Sequence, residues 1–191
     1  TVNSNVKKVV FTSDLGNIIT QDNRVFVEKF EPIYKSNIVI GECTYSERKR
    51  SMCNKDLITD KNKIKTVIDQ YCVDGGGRVL IPTFSLDKPA VVLWILYELF
   101  GKDKSFNIPI LLDSPLSIRL LDHYSNILSG DKKEKFKEML LWKNIKFVIT
   151  PEDSKSAILD SSPKVILSSG GMLNAGRSVK WATSILPRTN D

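Results

Sequence analysis

The sequence predicts an α/β protein with a largely parallel sheet flanked by helices. Two observations carry that expectation. Short β-rich runs alternate with helix-period segments along the chain, and polar or glycine-rich stretches follow the ends of those runs, where open parallel sheets hold their ligands. The chain has 191 residues, enough for one compact domain with a real core. Apolar residues make up 41% and charged residues 26%. That is ordinary globular usage, and it excludes a disordered tail, a fibre and a disulfide-dense miniprotein.

The elements follow in order. Lys8 to Thr12 (KVVFT) and Asn37 to Gly41 (NIVIG) read as strands. From Asp60 to Val73, the residues Ile64, Val67, Ile68 and Tyr71 fall at the i, i+3, i+4, i+7 spacing of one helix face, and Gly75 to Gly77 end it. Arg78 to Pro82 (RVLIP) is a buried-type strand. Asp87 can cap a helix that has Pro89 in its first turn and Gly101 just past its end. Ile108 to Leu112 is the next strand. Ser114 and Pro115 then open a helix whose apolar positions include Leu116, Leu120, Tyr124 and Ile127. A charged helix spans Asp131 to Leu141, and Lys146 to Ile149 and Val165 to Leu167 are two more strands. Right-handed crossovers would distribute the helices of this inner unit over both sheet faces.

Charge and rare residues narrow the function. Basic residues number 28 against 22 acidic, a net charge of +6. Such an excess suits a nucleic-acid partner without requiring one. With 1 histidine, the chain alone cannot build a multi-histidine metal site. His123 reads as a partly buried helix residue rather than a ligand. The cysteines, Cys43, Cys53 and Cys72, show no CxxC pair, and Cys72 reads as core. No exporting pattern and no apolar run near the ~20 residues of a membrane span are present, so a cytoplasmic location without a membrane partner is expected. The basic run ERKR and the lysines from Lys132 to Lys137 suit either a nucleic-acid backbone or solvent.

Five segments follow strand ends: TSDLG, ECTYSER, PTFSLDK, DSPLS and SSGGMLNAG. Asp14 closes the first strand and reads either as an Asx turn beside Gly16 or as a carboxylate for a hard divalent ion. Glu42 closes the second, as a salt-bridge partner of Arg48 or as an acid that orients a catalytic group. Ser168 to Arg177 combines glycines, which allow close backbone approach to a phosphate, with a helix start that attracts anions. Ser168 and Ser169 add hydroxyls and Arg177 a guanidinium fork. The bland alternative is a tight strand-to-helix turn.

In order and spacing, these segments resemble the β-CASP branch of the metallo-β-lactamase superfamily, which includes ribonuclease J and the endonuclease subunit of the messenger-RNA cleavage and polyadenylation machinery. TSDLG resembles TGDFG, GECTYSER resembles ESTYGDR, and GGRVLIPTFSLDK resembles GGxVLIPAFAxGR. IPILLDSPLS resembles IPVYxDSPLA, and VILSSGGMLNAGR resembles VIIASSGMLxGGR. The resemblance implies a β-CASP domain over residues 47–191, incomplete at its C-terminus. Residues 1–46 would be a short β-rich piece, the C-terminal part of the first metallo-β-lactamase half.

The resemblance also implies a zinc-dependent ribonuclease in which two zinc ions activate a hydroxide for in-line attack on an RNA phosphodiester. Asp14 matches the zinc-bridging aspartate and Glu42 the acid that supports a histidine near the scissile phosphate, with Thr44, Tyr45 and Arg48 around it. The segments about Ser85, Ser114, Ser168, Ser169, Gly170 and Gly171 would line the RNA-facing cleft, and Gly176 and Arg177 complete the expected substrate-binding set. Asp14 and Glu42 are expected to converge on one crevice facing this rim. The family's HxHxDH motif lies upstream of the match and its later histidine motifs downstream. The chain is therefore expected to be an excised piece that alone binds zinc poorly and cleaves nothing. Cys43 stands for a usual serine, Ser46 for a glycine, Glu47 for an aspartate, and Asp87 and Lys88 for Gly-Arg. The alternatives are a non-catalytic nucleic-acid-binding member of the family and a free-standing nucleotide-binding α/β domain. RNA is the expected partner, with DNA second, and open sheet edges suit a homodimer.

Overall fold

The computed structural model describes residues 2–3, 8–13, 35–44, 47 and 54–187. The chain divides into two compact units, Thr1–Asn54 and Lys55–Asp191. In the first, β1 (Val2–Asn3), β2 (Lys8–Phe11) and β3 (Ile38–Ile40) form a sheet in that order. β1 is antiparallel to β2, and β2 is parallel to β3 with Val10 opposite Val39. Both strands expected here are present. Entry to β3 is pinned by Asn37, whose carboxamide oxygen accepts from the Lys8 N–H at 2.8 Å and whose own N–H donates to the Lys8 carbonyl at 2.9 Å.

The second unit opens with α1 (Asn54–Ile68), which runs into a π-helical turn (Asp69–Asp74). Then come β4 (Arg78–Thr83), α2 (Lys88–Phe100), β5 (Ile110–Asp113), α3 (Pro115–Ile127), α4 (Gly130–Leu140), β6 (Ile145–Phe147), α5 (Pro151–Leu159), β7 (Lys164–Ser169) and α6 (Arg177–Ile185). The four strands pair in the order β4-β7-β5-β6, and every pair is parallel. The architecture is the α/β class expected, a parallel sheet flanked by helices. The last strand in the chain inserts between β4 and β5. The glycine-rich segment therefore follows an inner strand of the sheet.

The pleat sorts the strand side chains. Leu111 of β5 and Ile166 of β7 pack with Val148 and with Trp181 and Ile185 of α6, and Leu80, Ala157 and Ile158 lie against this cluster. Side chains two residues along a strand share a face. Asp113, two beyond Leu111, and Ser168, two beyond Ile166, therefore belong to the α6 side. The helices α2, α3 and α4 pack on one another and bury Leu93, Leu96, Phe100, Leu121, Phe136 and Met139. Cys72 is buried, as expected. No helix among the described residues is long and apolar enough to cross a membrane.

Four expectations change in detail. In α3 the buried positions are Ser117 and Leu121, whereas Leu116 and Ile127 of the expected stripe are exposed. Ser117 can face inward because its hydroxyl is hydrogen-bonded there. His123 is exposed, on the side of α3 turned from that buried face. β5 starts at Ile110 rather than Ile108, since Pro109 has no N–H for the ladder; its carbonyl still accepts from Val165 at 2.9 Å. Helix α5 was not expected, although its first turn carries a complete capping box between Thr150 and Asp153.

Candidate functional site

Because β4, β7 and β5 are parallel, their carboxyl ends meet at one edge. Thr83 lies opposite Ser169, and Asp113 opposite Ser168. Three of the five segments are thereby brought together: PTFSLDK after β4, DSPLS after β5 and SSGGMLNAG after β7. The other two belong to the first unit. There, the Glu42 carboxylate accepts from the Thr44 N–H at 2.8 Å, closing a local turn at the end of β3. Asp14, Tyr45 and Arg48 lie outside the described residues, and so does the expected convergence of Asp14 with Glu42.

The centre of the edge is Asp113, the acid of DSPLS, which no local pattern marks as a site residue. Its side chain is wholly buried. One carboxylate oxygen accepts from Arg177 Nη1 at 2.5 Å, the other from Ser154 Oγ at 2.6 Å and Trp181 Nε1 at 2.7 Å. The burial of this charge is thus matched by an ion pair and two further donors. Arg177 also donates from Nη1 to the Val148 carbonyl at 3.3 Å and from Nη2 to the Ile149 carbonyl at 3.0 Å. The fork expected to meet a phosphate is turned inward and ties α6 to β5 and to the loop after β6. Ser168, also buried, donates to the Asp113 carbonyl at 3.4 Å. The signal available for Asp113 was an acid directly after a run of apolar strand residues. Its partners could not be read, since Arg177 is 64 positions away.

A serine cluster joins the loops after β4 and β5. Ser114 caps α3, its Oγ accepting from the Ser117 N–H at 3.4 Å. The Ser117 hydroxyl lies 2.7 Å from Ser114 Oγ and 3.0 Å from the Ser85 carbonyl oxygen. It has one proton, so when Ser117 donates to Ser85, Ser114 donates to Ser117. Ser85 Oγ is 3.4 Å from Ser114 Oγ. Ser114 and Ser168 are nearly inaccessible, while Ser85, Ser169, Gly170 and Gly171 retain partial exposure and Gly176 is exposed.

The glycine-rich loop needs its glycines. Gly170 has φ of +107° and Gly176 of +85°, conformations that L side chains rarely adopt. A Cβ on Gly170 would run into the Ala175 carbonyl, and one on Gly176 would stand 2.6 Å from the Ser169 carbonyl oxygen. The Leu173 N–H closes a turn onto the Gly170 carbonyl at 2.9 Å, and Ser178 Oγ donates to the same carbonyl at 2.7 Å. Across the edge, Asp87 has φ of 61° and ψ of −54°, and the Lys88 N–H donates to the Leu86 carbonyl at 2.7 Å. That is a γ-turn of the strained hand. Asp87 makes no side-chain cap of α2; its carboxylate instead engages Tyr124, which burial and then Asp87 push above the usual tyrosine value.

The electrostatics favour anions. Helices α3 and α6 begin at this edge with no acidic residue in their first turns. Neither positive dipole end meets a carboxylate of its own first turn; α3 is capped by the neutral Ser114 hydroxyl and α6 has no side-chain cap. α5 carries Glu152 and Asp153 in its first turn and satisfies itself with its capping box. Among the described residues no group of three His, Cys, Asp or Glu side chains could hold a metal ion.

A Beta-Casp domain model matches residues 90–191, more than half of the chain. The chain is similar to Ribonuclease TTHA0252 of Thermus thermophilus, 28% identical over 177 residues that cover 90% of this chain and 38% of that protein. It is similar to Endoribonuclease YSH1 of Saccharomyces cerevisiae, 27% identical over 182 residues, 90% of this chain and 22% of the relative. It is also similar to Integrator complex subunit 11 of Danio rerio, 28% identical over 184 residues, 92% and 29% of the two chains. The chain thus spans well under half the length of each of these relatives.

Proposed function

The chain belongs to the β-CASP family, and from that premise we propose that it supplies the RNA-facing wall of a metal-dependent hydrolase that cleaves RNA phosphodiester bonds. Two relatives bear the names ribonuclease and endoribonuclease. The observation that carries the reading is the single sheet edge at which the serine loop, the glycine loop and the acid-free starts of α3 and α6 converge. Backbone N–H groups at the helix starts receive phosphate oxygens, and the glycines let the loop fold tightly beside them. Ser85, Ser169, Gly170, Gly171 and Gly176 offer the contact surface. Ser114, Ser168 and Arg177 hold it in shape from beneath, Arg177 through Asp113.

Asp14 as the bridging carboxylate, Glu42 as the orienting acid, and Thr44, Tyr45 and Arg48 as its supports rest on the resemblance alone. Zinc, implied by the same resemblance, finds no ligand set among the described residues, so no chemical step is derived through it. What these residues do is bind, orient and exclude water around a phosphodiester.

Two measurements test the reading. Affinity for a single-stranded oligoribonucleotide should fall with salt at a log–log slope of about −0.7 per phosphate neutralised. The full-length protein should lose RNA cleavage on chelation and regain it with zinc. Absence of RNA binding at low salt refutes the RNA-facing role, and cleavage that survives complete metal removal refutes the metal dependence.

A further inference from the structure

We infer that Phe84, seated on Gly171, is a stacking platform for an unpaired nucleobase; this deepens the RNA reading above and rests on it. Phe84 follows β4 at the ligand edge and keeps 54% of its surface exposed. A Cβ on Gly171 would lie 3.2 Å from two ring carbons of Phe84 and 3.2 Å from its backbone nitrogen. Gly171 has no positive φ, so its backbone conformation does not call for glycine. What calls for it is room: without a side chain, the aromatic ring lies directly against the turn. The turn from Gly170 to Leu173 carries Met172, 72% exposed, and Leu173, 43% exposed, and Leu86 on the β4 loop is 65% exposed. Exposed apolar residues thus sit in two loops whose other residues are mostly small or polar.

Charge decides what covers them. The patch is rimmed by the acid-free start of α6, with exposed Lys88 opening α2 just past the Phe84 loop and Asp87, turned to Tyr124, before it, in a chain of net charge +6. A nucleotide matches both halves, its phosphate at the start of α6 near Lys88 and its base on the ring. Base–aromatic stacking of this kind tolerates any base, because every base has a π-face. The ring therefore adds affinity without reading sequence.

The test is binding of a single-stranded oligoribonucleotide carrying 2-aminopurine, followed by fluorescence, with Phe84→Ala, Phe84→Leu and Phe84→Trp variants. The Ala and Leu variants should bind about 5- to 100-fold more weakly and lose the stacking-dependent quench, while Trp restores both. The salt slope should stay the same in all of them, since no phosphate contact is removed. If Leu binds as well as Phe, the patch is a plain apolar surface, and self-association by sedimentation would assign it to a second copy of the chain. Either that result or an unaltered Ala variant overturns the platform while leaving the RNA reading intact. Failure of the unsubstituted protein to bind the oligonucleotide overturns the RNA reading and the platform with it.

Discussion

Replacing Asp113 by asparagine preserves the shape of the side chain and removes its charge. The carboxylate now meets three donors: Arg177 Nη1 at 2.5 Å, Ser154 Oγ at 2.6 Å and Trp181 Nε1 at 2.7 Å. Asparagine has one acceptor oxygen. With that oxygen toward Ser154 and Trp181, its NH2 group faces the guanidinium; in the reverse orientation it faces the indole N–H and a serine that must turn its proton elsewhere. Either way Arg177 loses its counter-charge. Breaking a buried pair costs about 3–5 kcal/mol. The Arg177 side chain is 20% exposed and keeps its two carbonyl acceptors, so solvent offsets part of the loss, and we expect about 3 kcal/mol.

Urea unfolding measures that value, with an unchanged m expected because the surface exposed on unfolding is the same. In thermal unfolding it corresponds to about 6–12 °C for a chain of this size. A double-mutant cycle with Arg177→Met should give a coupling of about 1–2 kcal/mol. A loss under ~1 kcal/mol, ordinary for a surface position, or strictly additive effects would refute the account of Asp113 as the keystone of the edge.

Three further outcomes follow from the same geometry. At Asp87, Gly should be more stable than Ala by about 1 kcal/mol, since both remove the carboxylate and only glycine relieves the strained γ-turn; equal unfolding midpoints would show that φ is not strained there. Gly170→Ala should destabilise by at least about 2 kcal/mol, from its φ of +107° and the clash with the Ala175 carbonyl, and should weaken RNA binding more than an Ala placed at exposed Lys102, as titration of both variants will show. Tyr124 is raised above its ordinary 10.0 by burial and then by the charge and hydrogen bond of Asp87. An acid with a raised folded pKa stabilises fully below its unfolded value and loses that contribution as pH climbs through the folded one. Tyr124→Phe should therefore flatten the fall of stability in the alkaline range, and an identical pH profile would contradict the pairing.

The α/β class was legible because its signals are local. β4, β5 and β7 are short apolar runs bounded by punctuation residues, and α2 has proline at its start and glycine at its end. What was not legible was long-range. The insertion of β7 between β4 and β5 follows from packing, and that insertion is what sets Ser169 opposite Thr83. Arg177 carries a phosphate-binding signature in sequence, yet its nearest acceptor is a carboxylate at the end of another strand. Ser117 reads as polar and outward until its two inward partners are known. The replacement of a glycine by Asp87 was visible as a departure; that it falls on a residue with positive φ required the backbone.

The placement of the buried ions explains why the candidate site occupies this edge and not the other. Helices that follow parallel strands start at the carboxyl edge and end at the amino edge, so each edge receives helix termini of one polarity. At the amino edge, buried Arg78 donates to the Ile158 carbonyl at 3.2 Å and the Ser184 carbonyl at 3.4 Å, the last turns of α5 and α6. Its register partner Lys164, also buried, donates to the Asp160 carbonyl just past α5 at 2.6 Å. The Lys164 ammonium, with the N–H and hydroxyl of Ser162, holds Asp160 well below the usual carboxylate range. The negative ends of those helices are therefore satisfied from within. At the carboxyl edge buried Asp113 is matched by Arg177, and the other described carboxylates there, Asp87 before α2 and Glu152 and Asp153 in the first turn of α5, belong to helices other than α3 and α6. Asp113 and Arg177 cancel one another, so the edge's attraction for anions comes from the helix starts, and removing the acid alone should raise the local positive potential even as it loosens the loop.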